Sequence, residues 1–156
     1  MKRHEQLQPL SRQHHNGLLM ALLIKKGLAK NASLTVINDF IVKGWEGELK
    51  DHFEMEETVL LPALRNKPFD PLLIEQLLTE HAQIRSLVTK AEANKNTAED
   101  LQLFSSLLEK HIRFEEKQFF PKAEEVLSEK ELFAIGSQLH EDLSRNCINY
   151  PQKFWE

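Results

Sequence analysis

Apolar residues recur along most of this chain at intervals of three and four, the period of a helix buried on one side. Leu10, His14, Leu18, Ala21, Leu22 and Leu28 keep that spacing, and it predicts a first helix over 12–30 with Ser11 as N-cap. Residues 1–10 read as an extended lead-in with His4 in solvent, and Gly27 and Asn31 mark the fraying end of the helix. Ser33 is placed to cap a second helix over 34–65. Its stripe runs through Val36, Ile37, Phe40, Ile41, Trp45, Leu49, His52, Phe53, Glu56, Val59, Leu60 and Ala63, and it drifts around the axis. Gly44 and Gly47 each cost about 1 kcal/mol relative to Ala in a helix interior, so a kink or break near Trp45 is expected.

Two prolines between Asn66 and Pro71 end that pattern. Asp70 as N-cap and Pro71 at the first helical position start a third helix over 71–93, with Leu73, Ile74, Leu77, Leu78, His81, Ile84 and Val88 on one side. Thr97 with Asp100 resembles a capping box for a fourth helix over 98–127, whose inward face is Leu101, Phe104, Leu107, Leu108, His111, Phe114, Glu115 and Phe119. Ser128 with Glu131 caps a fifth, shorter helix reaching about Arg145. The tail with Tyr150, Pro151, Phe154 and Trp155 is too short to place. Four long helices on short connections predict an all-α fold, an antiparallel up-down-up-down four-helix bundle with a short C-terminal fifth helix. One domain over 1–156 is expected, with the bundle at 11–127 and the last helix and tail at 128–156.

Composition adds mainly exclusions. In 156 residues, 41% apolar and 28% charged positions suit a globular domain with a sizeable core. A net charge of −4 gives no electrostatic footprint for nucleic acid. No apolar run approaches the roughly 20 residues that span a bilayer. The polar N-terminus carries no signal-peptide pattern. A single cysteine, Cys147, forms no intrachain disulfide and is compatible with a cytoplasmic location, the expected compartment.

The informative stretch is written twice. His52-Phe-Glu-Met-Glu56-Glu57-Thr-Val-Leu-Leu-Pro62 recurs as His111-Ile-Arg-Phe-Glu115-Glu116-Lys-Gln-Phe-Phe-Pro121, with His, both Glu and Pro displaced by 59 positions. Residues four apart share a helix face, so His52 and Glu56 aim at one point, and so do His111 and Glu115. With 7 His and 24 acidic residues, roughly one His-x-x-x-acid pair is expected by chance, but the doubled acid and Pro at fixed offsets are not. Each Pro falls inside a helix. It leaves the carbonyl of Thr58 or Lys117 without its usual partner, at about 3 kcal/mol, and the shared offset predicts a shared bend.

The repeat asks the first and third helices for one residue each. His81 answers in Leu77-Leu-Thr-Glu-His81, and His14 in Leu10-Ser-Arg-Gln-His14; this phasing favours His14 over its neighbour His15. Four imidazoles and two bridging carboxylates supply eight donors, four for each of two metal ions. A bridging oxo or hydroxo group adds a fifth, and an octahedral iron would keep one position for a small ligand. A closed zinc site favours Cys and His, and magnesium or calcium more oxygen. Two iron ions are therefore expected, with manganese or zinc as substitutes.

These segments, over roughly 10–127, resemble the hemerythrin-like, or HHE cation-binding, family. The resemblance implies an antiparallel four-helix bundle around a non-haem di-iron centre, with His14, His52, His81 and His111 as terminal ligands and Glu56 and Glu115 as bridges. Oxygen-carrying members use a His-x-x-x-His pair on the third helix, where this chain has Arg85. Their fourth helix carries His and a spaced Asp, where this chain has His-x-x-x-Glu. The pattern looks closer to four-His, two-Glu members involved in sensing iron, oxygen or nitric oxide and in repairing iron centres. The di-Cys segment upstream in some repair members is absent.

The leading expectation is thus a di-iron protein that binds or responds to oxygen, nitric oxide or iron, with no nucleic-acid or membrane partner. A di-iron enzyme or repair protein ranks lower, because no acid or base beyond the ligands is visible. A metal-free helical interaction module is the third reading. Glu57 and Glu116, about 100° off the ligand face, are expected outside the ligand set or on the surface. His140 is expected at the surface or in packing and Cys147 as an inert thiol. Trp45 and the phenylalanines are expected in the core, with Phe53 and Phe114 keeping the site dry. No Gly-rich phosphate loop, GxSxG elbow or other nucleophilic constellation is present.

Overall fold

The computed structural model describes residues 2–139 and 150–156. Among them the fold is all-helical, with five helices and no strand. A 3-10 turn, Glu5–Leu7, leads directly into α1, Gln8–Ala29. Helix α2 runs over 34–64, α3 over Pro71–Glu92, α4 over 98–126 and α5 over Glu129–Gln138.

The ends follow side-chain chemistry. Ser33 accepts from the Val36 amide and Asp70 from the Leu72 amide. Thr97 with Asp100, and Ser128 with Glu131, form complete capping boxes, so Asp serves where Glu is usual. At the C-termini of α1 and α3, Asn31 (φ 56°) and Asn94 (φ 55°) adopt the left-handed conformation that asparagine tolerates. The Ala32 amide then returns to the Gly27 carbonyl and the Lys95 amide to that of Lys90.

The N-terminus differs from expectation. Residues 5–10 are not extended: Pro9 lies in the first turn of α1, where its missing donor costs nothing. Ser11 is therefore inside the helix, and its hydroxyl donates to Glu116 (3.0 Å). His4 is not free in solvent: its Nδ1 accepts from the Gln6 amide, and its Nε2 lies 3.0 Å from Glu129. Gly27 is buried within α1 rather than fraying, because Phe154 occupies the space a Cβ would need. The tail is placed by the same contact: Tyr150, Phe154 and Trp155 pack around Phe40, and the Tyr150 hydroxyl donates to Asp39 (2.6 Å). Leu22 and Leu78, expected on inward faces, are exposed, while Met20, Leu23 and Ile24 are buried instead.

Neither interior proline sits in a plain α-turn. Helix α2 contains two π turns, Trp45–Leu49 and Glu56–Leu60, and α4 one, Glu115–Phe119. Pro62 and Pro121 are each the second residue after a π turn, in Leu61–Leu64 and Phe120–Val126. There the Leu61 amide reaches the Glu56 carbonyl and the Phe120 amide that of Glu115, five residues back. The wider turn shifts the carbonyl that would otherwise meet the proline ring. The turn at Trp45 likewise replaces the expected break. Each π turn absorbs part of an extra residue, which is why the apolar stripe of α2 drifts.

Two apolar clusters divide the molecule. One gathers Met20, Ile24, Phe40, Phe53, Ile84, Phe104 and Leu108, the other Leu10, Leu60, Leu64, Leu77, Phe119 and Phe120. Helices α1 and α3 pass from the second cluster into the first, and α2 and α4 pass the opposite way. Helix α1 lies mainly along α4, α4 along α3 and α3 along α2, while α5 covers the N-terminal turn.

Candidate metal centre

The seam between the clusters is polar, and every long helix contributes to it. On α1, His14 falls between Leu10 and Met20; on α3, His81 falls between Leu77 and Ile84. His52 and Glu56 occupy the seam on α2, His111 and Glu115 on α4. All six are buried, and Glu56, His81 and Glu115 are completely so. Fully burying one Leu or Phe side chain contributes about 1.5–3 kcal/mol, so the flanking clusters supply the free energy that holds such a layer away from water.

The structure brings these residues into two quartets, His14–His52–Glu56–Glu115 and Glu56–His81–His111–Glu115, whose candidate donor atoms lie within 4.8 Å of one another. Both carboxylates belong to both quartets. Each imidazole turns Nε2 inward. His14 Nε2 is 2.7 Å from Glu115, His81 Nε2 3.0 Å from Glu56, His52 Nε2 3.2 Å from Glu56 and His111 Nε2 3.5 Å from Glu115. His15, one residue along α1, is exposed.

Three of the four Nδ1 atoms meet a further hydrogen-bond acceptor outside the quartets, and the fourth, on His14, has only a carboxylate nearby. His81 Nδ1 lies 2.6 Å from Glu57, His111 Nδ1 2.7 Å from Glu80, His52 Nδ1 2.7 Å from the Gln13 amide oxygen and His14 Nδ1 3.3 Å from Glu116. Such contacts fix the tautomer and orientation of a ligating imidazole. Glu57 is held in turn by both guanidinium nitrogens of Arg85 (2.6 and 3.1 Å), and Glu116 by Arg3 (3.1 Å) and Ser11. Arg85 also lies over the rings of Trp45 and Phe53. Phe53 stacks on His81 at 3.9 Å and Phe120 on His14 at 5.5 Å, closing the site against water.

Burial disfavours charge on His14, His52, Glu56 and His81, and pairing with their neighbours overcomes it. Burial would lower His52, but Glu56 and Glu115 push it up to about 10. His14 and His81 are raised against the same penalty, chiefly by Glu115 and Glu56 respectively. Burial would raise Glu56, yet the His52 charge and hydrogen bonds from its neighbours hold its carboxyl well below the usual range. Glu57 is lowered, as Arg85 and His81 outweigh its partial burial; Glu116 is lowered too, as His14, Ser11 and Arg3 do the same.

Pairing among themselves does not satisfy the six. The Nε2 atoms of His52 and His111 and the Oε2 atoms of Glu56 and Glu115 are buried without a hydrogen-bond partner. An unmatched buried polar atom costs about 1–3 kcal/mol. Four such atoms, two nitrogen and two oxygen, facing one space fit a cation that takes mixed imidazole and carboxylate donors, as first-row transition metals do. Beside His14, His52 and His111 a cavity lined by Gly17, Leu49, Phe53, Leu108 and Ile112 leaves about 10 Å³ for the centre of a water-sized molecule, at the scale of one water. A Cβ on Gly17 would approach the tip of the Ile112 side chain to 2.7 Å, so glycine makes room for Ile112 at the cavity wall.

The six sequence-predicted residues are therefore brought together, and His14 rather than His15 is the α1 member. Glu57 and Glu116 lie outside the quartets, beside Nδ1 atoms. Phe53 packs on the site as expected, whereas Phe114 packs on Phe119 and Phe120 takes the place against His14. Sequence reasoning missed Gln13 and Glu80. Both directly precede a lone histidine, the same register in α1 and α3, and that coincidence is the signal that could have found them. His140, Cys147 and the expected extension of α5 to Arg145 lie outside the described residues.

No helix among the described residues is long and apolar enough to cross a membrane. Comparison with curated proteins and with solved structures gives no match. The family model described as the hemerythrin HHE cation binding domain matches residues 6–123, which is 118 of the 156 residues and includes all six members of the quartets. A buried His/Glu centre on the doubled motif and a family match over most of the chain lead to one conclusion: the chain belongs to the hemerythrin HHE cation-binding domain family.

Proposed function

We propose that the protein holds two iron ions at this centre, with a bridging oxo or hydroxo group, and binds or responds to a small diatomic ligand, oxygen or nitric oxide, or to iron supply. His14 and His52 would hold one ion, His81 and His111 the other, and Glu56 and Glu115 would bridge them. The observation that carries the reading is the set of four buried donor atoms without partners, in quartets that share both carboxylates. Manganese or zinc suits the same donors. Bound iron would supply redox change and an open coordination position. The chain's own part is to orient the four rings through Nδ1, exclude bulk water with Phe53 and Phe120, and leave the small cavity beside the histidines. The alternating passage of α1 to α4 between the clusters supports an antiparallel up-down-up-down bundle, read as one domain over 1–156. The cytoplasm is the proposed compartment, compatible with the single cysteine.

Metal analysis of protein made in iron-rich medium, paired with absorption spectra in air, under anaerobic reduction and after nitric oxide addition, tests this directly. About two irons per chain and a spectrum that shifts with oxidation or ligand are expected. Protein that stays fully helical with no metal bound would instead favour a helical interaction module.

A further inference from the structure

The quartets match on their inward faces and differ on their outward ones. A carboxylate accepting the Nδ1 hydrogen draws the proton outward and makes Nε2 a stronger donor to a metal; an amide oxygen does so less. Both rings of one quartet have such a carboxylate close by, Glu57 at 2.6 Å from His81 and Glu80 at 2.7 Å from His111. Neither ring of the other has an equal. His52 has the neutral amide of Gln13, and His14 Nδ1 stands 3.3 Å from Glu116 without hydrogen-bond alignment.

Charge compensation sharpens the contrast. Arg85 offsets Glu57 and Arg3 offsets Glu116. Glu80 is 7% exposed, and its second oxygen takes only the Gln76 amide (3.0 Å). Lys110 borders the same groove, yet no lysine or arginine among the described residues forms an ion pair with Glu80. One uncompensated carboxylate thus contacts a ring of the His81–His111 pair directly; on the other side the equally buried Glu48, which takes only the Asn16 amide, lines the cavity beside His14 and His52 without a hydrogen bond to either ring.

We propose that the centre fills in two unequal steps. A first transition-metal ion binds tightly at Glu56, His81, His111 and Glu115. A second binds more weakly at the His14–His52 side and is the exchangeable one. Glu80 and Gln13, which touch no metal, are the positioning residues that set this order. The inference rests on the two-metal reading above.

The test is a zinc titration of metal-free, full-length protein against a chromogenic chelator. Two dissociation constants separated by at least about tenfold are expected. Glu80→Gln should weaken the tighter constant by about 10- to 100-fold and leave the weaker within about threefold, while Gln13→Glu strengthens the weaker one. A purely structural role for Glu80 would move both constants together. Two equal constants in the wild type, or a Glu80→Gln effect shared by both, overturns the proposal. If Glu80→Gln does not fold, Gln13→Glu decides alone, and an unmoved weaker constant overturns it. Absence of any zinc binding would instead sink the two-metal reading itself.

Discussion

In segment 52–62 the second glutamate, Glu57, lies 2.6 Å from His81 on a neighbouring helix and is gripped by both nitrogens of Arg85. In segment 111–121 its counterpart, Glu116, stands 3.3 Å from His14 and is held by Arg3, from the chain's first residues, and by Ser11. The repeated His and first Glu face inward, and the repeat creates matched geometry: His and Glu one turn apart, a π turn beginning at the Glu, and Pro six positions beyond it. Their outer partners come from stretches that are not repeated, and there the symmetry ends. A duplicated motif therefore dictates what meets a metal ion without dictating how firmly each imidazole is held.

The inner match is most severely tested by removing a shared group. Glu56→Ala or Glu115→Ala takes a donor from both quartets, so purified protein should lose both ions. His14→Ala takes a donor from only one and should retain the ion at Glu56, His81, His111 and Glu115. Elemental analysis of the three variants after desalting checks this. Equal losses from His14→Ala and Glu115→Ala would show that the carboxylates do not serve both halves.

The outer mismatch predicts a smaller, graded effect. Glu57→Gln removes a tight contact to His81 and should weaken metal binding by about 10- to 100-fold. Glu116→Gln removes a looser contact to His14 and should cost less than about tenfold. Chelator competition on both variants measures the ratio. Equal losses would mean that the 2.6 and 3.3 Å separations are energetically equivalent.

The first copy also carries a pH signature in the metal-free protein. His52 is raised from 6.5 to about 10, burial opposing the shift and Glu56 and Glu115 driving it. A raised histidine contributes stability that is fully present below its unfolded value and is lost as pH rises through the folded value. Metal-free protein should accordingly lose melting temperature between pH 6.5 and about 10. His52→Gln should flatten that limb, which thermal scans across the range would reveal. A wild-type melting temperature that is flat or rising there would mean that the His–Glu pairs carry no such charge without metal.

Much of this arrangement was legible in the residues. Thr97–Asp100 and Ser128–Glu131 mark two helix starts, and the 59-residue displacement alone singles out His52, Glu56, His111 and Glu115. His81 and His14 followed from a leucine four positions ahead of each. Other features were hidden for physical reasons. Pattern reading assumes 3.6 residues per turn, so a π turn appears only as drift, and glycines at 44 and 47 suggested a break that the wider turn makes unnecessary. Gln13 and Glu80 act across helices, where contact depends on how the rods pack. Ser11 lies inside α1 rather than capping it because Pro9 falls in the helix's first turn, and the contact of Arg3 with Glu116 depends on that longer helix. The tail rings settle on Phe40 and Gly27, and Tyr150 on Asp39, through contacts distant in sequence, which no local period records.

The smallest expected effect concerns the element that both copies share most completely. Were Pro62 and Pro121 opposing plain α-turns, replacing either with alanine would gain about 3 kcal/mol. Each instead follows a π turn whose last hydrogen bonds already reach back to Glu56 or Glu115. The ring then meets little resistance, and its loss mainly restores entropy to the unfolded chain. Pro62→Ala and Pro121→Ala should therefore each change stability by less than about 1 kcal/mol, and toward destabilisation. Urea unfolding of metal-free protein measures both, and the two values should agree because the backbone is alike in the two copies. A gain near 3 kcal/mol in one variant alone would mean that its π turn is strained by the proline rather than accommodating it, and the equivalence of the two copies would end at the backbone as well as at the outer partners.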